Sequence, residues 1–135
     1  MYLLDTNIVS ELRRVRPHGA VLAWIGGVAD RNLFISAVTI GEIQAGIEIT
    51  REQDAAKATE LEAWLEQVAS TCNVLAMDGP AFRSWARLMH RQQNDLNEDA
   101  MIAATAKEHD LIVVTRNVRD FARLGVRTLN PFDVD

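Results

Sequence analysis

The chain has 135 residues, of which 48% are hydrophobic and 24% are charged, a balance typical of one soluble globular domain. Its net charge of −5 disfavours a protein that holds nucleic acid by bulk positive charge alone. No apolar run approaches the roughly 20 residues of a membrane span, and no basic segment leads into an apolar one at the N-terminus. The single cysteine suits a reducing compartment. We therefore expect a cytoplasmic protein without a membrane anchor.

Five short apolar runs predict β-strands. Each run is apolar on consecutive positions rather than on alternate ones, which is typical of strands buried on both faces of a parallel sheet. In chain order, the runs occupy residues 2–5, 32–38, 73–77, 111–115 and, more weakly, 126–130.

Helical patterns lie between these runs. Apolar residues recur at helix spacing over 21–28, 61–68 and 82–89, where the simplest interpretation is packing against a core, and Gly125 marks a helix end before the last strand. The alternation predicts an α/β fold in a single domain over residues 1–135. Helices should cover both faces of a central, mostly parallel five-stranded sheet, giving a three-layer α/β/α sandwich.

Asp5 ends the first predicted strand as a bare carboxylate. In open α/β sheets, ligands collect at the carboxyl ends of the strands, and an isolated carboxylate is costly to bury there. A helix N-cap is the alternative explanation for Asp5 alone. Asn7 could cap that helix instead, which would leave Asp5 with less of a structural role.

Two further acids lie on the inward faces of predicted helices. Glu42 follows the second strand, and at about 100° per residue it lies roughly 160° from the polar Gln44, on the apolar side. Asp99 shares a face with Ile102 in a helix that Asn97 is expected to cap. A favourable interaction with the helix dipole is the alternative explanation for both acids.

The fourth strand is followed at the same edge by Thr115, Asn117 and Asp120, although Asp120 could equally belong to a surface turn. Each acid has a structural explanation when it is considered alone. No single structural explanation accounts for three or four acids that follow different strands at the same edge of the sheet. Carboxylates gathered together repel, and a hard divalent cation with oxygen ligands removes that penalty. The three histidines and the cysteine lie outside the pattern, so we expect Mg²⁺ or Mn²⁺ rather than zinc.

The ordered set of "LLDTN", "ISAVTIGEI", "EDAMIAATAKEHDLIVVTRNVRDF" and "GVRTLNPFD" resembles the PIN-domain family, in particular the VapC-type toxins of bacterial toxin–antitoxin pairs. The resemblance runs essentially end to end. It implies a five-stranded parallel sheet between helices and a metal-dependent ribonuclease that cuts single-stranded or looped RNA. It also implies a homodimer that is neutralised by a cognate antitoxin protein.

The resemblance also implies roles for individual residues. It implies that Asp5, Glu42 and Asp99 hold the metal and that Thr6 and Thr115 support the site. Asn7, beside them in the first motif, is a further supporting candidate.

One position departs from the family pattern. Many relatives have a fourth acid where this chain has Asn117, which brings oxygen but no charge. Asp120 is the candidate replacement, and a single metal in the resting state is the other option. We therefore include Asn117 and Asp120 with the three metal ligands as catalytic candidates.

A metal held there would activate water for phosphodiester hydrolysis without using the 2′-hydroxyl. Because the acids make the site negative, basic residues should flank it and contact RNA phosphates. Arg116 is the first candidate because it lies beside Thr115, and Arg13 and Arg14 follow the first strand closely. A solvated helix face is the alternative explanation for each arginine.

Three other functions fit part of the pattern. A haloacid-dehalogenase-like phosphohydrolase also has an aspartate after its first strand, but it expects a second acid where this chain has Asn7. A receiver-like phosphoacceptor domain expects a lysine near the last strand, whereas Lys57 and Lys107 lie in predicted helices. A catalytically weak or inactive RNA-binding or interaction domain would explain the lost charge at Asn117, but not the three retained acids.

Overall fold

The computed structural model describes residues 1–133, so the last two residues of the predicted domain lie outside the described chain. A five-stranded sheet with all pairs parallel forms its centre, in the order β3-β2-β1-β4-β5. The strands are β1 Tyr2–Leu4, β2 Leu33–Ser36, β3 Asn73–Leu75, β4 Ile112–Val114 and β5 Thr128–Leu129. Each strand lies within one of the five predicted runs, so the sequence prediction of a parallel sheet is confirmed.

Seven α-helices flank the sheet in residues 1–133. Their order and the two 3-10 turns between them preserve the predicted strand–helix alternation. They are α1 Thr6–Leu12, α2 Gly19–Gly26, α3 Ala37–Arg51, α4 Ala55–Thr71, α5 Gly79–Met89, α6 Asn97–His109 and α7 Val118–Arg123.

Neighbouring side chains of the central strand enter different cores. Leu3 packs in a cluster with residues of α6 and α7, whereas Leu4 packs in a second cluster with residues of α1 and α2. This follows from strand geometry, since successive side chains point to opposite faces of a sheet. A third cluster joins α3 to α4 through Ile47, Ala58 and Leu65. The predicted three-layer α/β/α arrangement is therefore confirmed.

Strand register brings three chain segments to one level. Leu4 pairs with Ile35 on one side and with Val114 on the other, so all three strands end together. The Asp5 backbone N–H continues the ladder by donating to the Val114 carbonyl at 2.9 Å. We call this side of the sheet the carboxyl edge.

Two apolar residues of the predicted helical stripes are not core residues. Leu22 and Phe82 are 47% and 46% exposed, because α2 and α5 each turn only one side toward the sheet. Phe82 instead packs edge-on against Trp85, with ring centres 6.1 Å apart. Gly125 does end a helix, as expected: it follows α7 with φ +74°, a conformation that glycine adopts without strain.

The structure decides between the two candidate caps of α1 and corrects the expected cap of α6. Asp5, not the alternative Asn7, caps α1, since its extended backbone lets the side chain accept the Thr6 N–H. Asn97 is the first residue of α6, and its Oδ1 accepts a hydrogen bond from Trp85 Nε1 at 3.1 Å. Across residues 1–133, no helix combines the length and apolarity needed to cross a membrane.

Phe121 is the largest fully buried side chain, and its truncation should show how much the α6–α7 side of the sheet contributes to stability. We expect Phe121→Ala to lower the free energy of unfolding by about 3–5 kcal/mol, because it removes apolar burial and leaves a cavity. Phe82→Ala is the matched control and should cost about 1 kcal/mol or less. Urea unfolding measures both, and equal losses would contradict the assigned core.

Candidate active site

Asp5 occupies the centre of the carboxyl edge, directly after β1. Its side chain is 4% exposed, and both carboxylate oxygens have donors. Oδ1 accepts the Thr6 N–H at 2.8 Å, and Oδ2 accepts the Thr115 hydroxyl at 2.8 Å. Burial raises the pKa of Asp5, and the hydrogen bonds from Thr115 and Thr6 oppose that rise. Asp5 is thus both a helix cap and a buried acid facing the site.

Glu42 reaches the same place from the second turn of α3. Its Oε1 accepts the Thr6 hydroxyl at 2.7 Å, and the Thr6 and Thr39 hydroxyl oxygens are 3.0 Å apart. Because Thr6 has one hydroxyl proton and donates it to Glu42, Thr39 is the donor in the second contact. Burial raises the pKa of Glu42, the Thr6 hydrogen bond opposes this, and the charges of Asp5 and Glu98 raise it further.

Asp99 shows the strongest electrostatic effect at the site. It lies in the first turn of α6 and is half-buried. Its pKa rises from the ordinary 3.8 to about 7, first because of burial and then because of the negative charges of Asp5, Asp120, Glu42 and Glu98. The carboxylates after β1, β2 and β4 therefore act on one another across the carboxyl edge. We call Asp5, Glu42, Asp99 and Asp120 the acidic cluster.

No arginine or lysine in residues 1–133 forms an ion pair with the acidic cluster. In the same part of the chain, no group of three His, Cys, Asp or Glu side chains is arranged so that it could hold a metal ion. The Asp5 and Glu42 oxygens instead accept hydrogen bonds from the Thr115 and Thr6 hydroxyls, respectively. The donor set, which is all oxygen, fits a hard divalent cation in chemistry and charge.

Thr115 links the end of β4 to Asp5. Its hydroxyl oxygen accepts the Asn117 backbone N–H at 2.8 Å while its proton goes to Asp5. Asn7 Oδ1 accepts the Arg116 backbone N–H at 3.4 Å, so Asn7 joins α1 to the loop after β4. The predicted supporting residues Thr6, Asn7 and Thr115 therefore all hold elements of this edge together.

The two candidates for a fourth acid position differ in their surroundings. Asn117 is exposed, and its side chain makes no capping hydrogen bond to α7. Asp120 is half-buried in the first turn of α7, and its charge is among those that raise the pKa of Asp99. Asp120 is thus electrostatically part of the site, whereas Asn117 contributes through its backbone N–H.

The three candidate RNA-binding arginines lie in different environments. Arg13 lines a cavity beside Glu42. Arg14 Nη1 is 3.3 Å from Oε1 of the buried Glu11, so its guanidinium already has an anionic partner. Arg116 places its guanidinium carbon 4.0 Å from the centre of the Phe132 ring.

Sequence reasoning missed two contributors to this edge. Thr39 is fully buried and completes the hydroxyl contact to Thr6. Its spacing of three residues from Glu42, which puts both on one helix face, was the available signal. Phe132 stacks against Arg116, and its ring centre lies 5.0 Å from that of His18. No local pattern in the sequence predicts either contact.

Comparison with known proteins agrees with the fold and the motif order. The PIN domain family model matches residues 2–126. The chain is 32% identical over 139 residues to Toxin FitB of Neisseria gonorrhoeae, covering 98% of this chain and 99% of the relative. It is 34% identical over 140 residues to VapC ribonuclease Y4jK of Sinorhizobium fredii, with the same coverage of both chains.

A solved structure extends the comparison. The fold matches a chain of a toxin–antitoxin complex from Klebsiella pneumoniae with a TM-score of 0.73 at 27% identity, covering 99% of this chain and 100% of that one. The resemblance predicted from the sequence motifs is therefore confirmed. A match over nearly the whole chain, to the family model and to relatives above 30% identity, shows that this chain belongs to the PIN domain family.

Proposed function

We propose that this protein is a metal-dependent endoribonuclease and acts as the toxin of a toxin–antitoxin pair, with residues 1–135 forming one PIN-like domain. The observation that carries the proposal is the acidic cluster, which gathers carboxylates from three strand ends at one edge without a basic partner in the described chain. The ribonuclease and toxin names of the two relatives support the activity and the biological role.

Mg²⁺ or Mn²⁺ is the cofactor that this donor set fits. Asp5, Glu42 and Asp99 would hold it, and Asp120 would supply the remaining charge in place of the acid that Asn117 lacks. When bound, such an ion supplies an activated water and neutralises the charge that develops on the phosphate. The electrostatics of Asp99 support this assignment: burial is the first cause of its raised pKa, and the negative charges of the other acids, which a bound cation would offset, raise it further.

The other residues of the edge orient the acids and bind substrate. Thr115 fixes the Asp5 carboxylate, and the Asn117 backbone fixes Thr115 in turn. Thr39 and Thr6 do the same for Glu42. Hydrolysis directed by these carboxylates leaves a 5′-phosphate and needs no 2′-hydroxyl.

Arginines would bring the RNA to this negative edge. Arg116 is next to Thr115 in the chain and stacks on Phe132, which leaves its fork of donors for a phosphate. Arg13 lies beside Glu42 and is a second phosphate contact. Arg14 is the weakest of the three because its guanidinium neutralises Glu11.

Two alternatives are less well supported. The haloacid-dehalogenase-like mechanism needs an acid at position 7, but Asn7 is there and binds the Arg116 backbone. An inactive RNA-binding or interaction domain would follow from the missing charge at Asn117. The electrostatic contact of Asp120 with Asp99 argues against that alternative.

The partners follow from the same proposal. A cognate antitoxin would neutralise the nuclease, in keeping with the toxin–antitoxin complex whose chain has this fold. A homodimer and a cytoplasmic location remain predictions from the sequence. Size-exclusion chromatography with light scattering tests the dimer.

Asp99→Asn tests the activity directly. We expect the rate of single-stranded RNA cleavage in Mg²⁺ to fall by more than about 100-fold. Loss of a residue that only supports a metal ligand typically costs about 10- to 100-fold, and Asp99 is proposed as a ligand itself. The fold should persist by circular dichroism, because the substitution keeps the shape and removes a repelling charge. Asp95→Asn, at an exposed position one turn earlier, is the matched control and should keep wild-type rates. Full activity in EDTA would contradict the proposal.

Stability should depend on pH through Asp99. Its pKa is higher in the folded than in the unfolded chain, so its stabilising contribution is full below 3.8 and is lost as the pH rises to about 7. In divalent-free buffer, we expect the wild type to lose stability relative to Asp99→Asn across this range. Added Mg²⁺ should recover stability at neutral pH in the wild type but not in the variant. Urea unfolding at several pH values measures this, and parallel pH profiles would refute the repulsion.

Thr115→Val tests whether the hydroxyl orients Asp5. Valine keeps the shape but removes the donor at 2.8 Å, so we expect kcat to fall by about 10- to 100-fold with little change in KM. Thr105→Val is the matched control, since that buried hydroxyl binds only the Met101 carbonyl of its own helix. Steady-state kinetics on one RNA separates kcat from KM. Equal losses in the two variants would assign Thr115 a structural role alone.

A further inference from the structure

A cavity of about 180 Å³ opens beside the acidic cluster, between α1, α3 and α4. Thr6 and Glu42 belong to its wall, so the cavity and the candidate active site share two side chains. It extends away from them along α3, and we call it the side cavity. Nothing in the proposed hydrolysis uses the far end.

The lining of the side cavity divides by chemistry. Glu42, Gly46 and Thr50 are four residues apart and form one stripe of α3, and Gly46 leaves space where other residues would carry a side chain. Ile43, Ile47 and Leu61 supply apolar surface. Hydroxyl groups and one guanidinium complete the wall, from Ser10, Thr50 and Arg13.

We propose that the side cavity binds one nucleobase of the RNA, adjacent to the cleaved phosphate. This inference rests on the proposed ribonuclease function and specifies how that site selects its substrate. The volume is well below the roughly 300 Å³ of sites for drug-sized ligands. It therefore suits one ring system rather than a larger ligand.

The chemistry of a base matches the lining. A base has two apolar faces and an edge of hydrogen-bonding groups, and proteins that read single-stranded RNA hold splayed bases by contacts of both kinds. Ile43 and Leu61 would contact the faces, and the Ser10 and Thr50 hydroxyls would contact the edge. Arg13 would stack on the base or bind its phosphate.

Position explains why the occupant is part of the substrate. Glu42 and Thr6 are shared, so a phosphate held at the acidic cluster has its neighbouring nucleotide at the cavity opening. A flexible single strand can turn that base into the cavity without breaking a duplex. The side cavity would thus provide sequence preference, while the arginines contact the sequence-independent backbone.

Gly46→Leu provides a test with little risk to folding. A Cβ at position 46 meets no atom within 4 Å, so a leucine side chain can enter the side cavity without a backbone clash. Replacement of glycine by leucine within a helix also favours the helical conformation. Gly41→Leu is the matched control, since this glycine is in the same helix, has the same free space and does not line the cavity. Thermal melting verifies that both variants fold.

The readout is the sequence at the cut. Each protein is incubated with a random-sequence single-stranded RNA pool in Mg²⁺, and the new ends are sequenced. We expect the wild type and Gly41→Leu to prefer particular bases at one position next to the cut. Gly46→Leu should still cleave but lose about tenfold in that preference, which is the scale of one base contact. An unchanged preference in Gly46→Leu, or none in the wild type, would overturn the proposal.

A binding measurement separates this inference from the proposed function. If no variant cleaves RNA, the nuclease proposal fails, and the side cavity is then judged by titrating the wild type with each nucleoside monophosphate. Amide NMR shifts at Ser10, Thr50 and Leu61 that are absent in Gly46→Leu would support a base site. The absence of shifts in the wild type would reject it.

Discussion

Repulsion among carboxylates at one edge of a parallel sheet is the constraint on which this structure depends. Asp5 is almost completely buried, Glu42 and Asp120 lie in the helices that follow β2 and β4, and Asp99 lies in the first turn of α6. Hydroxyl groups, not positive side chains, hold the acids in the described part of the chain. Hydroxyls orient a carboxylate without neutralising it, so the charge remains for a cation to bind. An arginine in the place of Thr115 would neutralise Asp5 and remove the charge on which the proposed cation site depends.

The topology explains why such a site can be built from distant segments. β1 is the central strand, and β2 and β4 flank it with their ends at the same level. Residues that directly follow these strands are therefore neighbours, although they are more than 30 residues apart in the chain. The two apolar clusters on either side of β1 fix this register, because a shift of one residue would turn Leu3 and Leu4 to the wrong faces. Core packing thus sets the separation of the charges.

The sequence predicted the strands well because buried parallel strands are apolar on consecutive positions. It also singled out acids that the structure brings to one edge, because Asp5 ends a strand and because Glu42 and Asp99 lie on apolar helix faces. The contacts that hold those acids could not be predicted in the same way. The Thr115–Asp5 bond spans 110 residues and the Thr6–Thr39 contact spans 33, so no local pattern encodes either. The sequence left the cap of α1 open between Asp5 and Asn7 for a related reason: the choice depends on backbone angles at the strand end.

Asn117 shows how a missing charge can be compatible with the site. Its backbone N–H donates to Thr115, and this contact requires no particular side chain at position 117. An acid there would add a negative charge to a cluster in which the pKa of Asp99 is already raised to about 7. Asp120, one turn into α7, contributes charge from a position that the helix fixes. Two features of this loop are therefore separate: the backbone at 117 orients Thr115, and the side chain at 120 adds negative charge near Asp99. Under the proposed function, an asparagine at 117 is consistent with an active site as long as Asp120 remains.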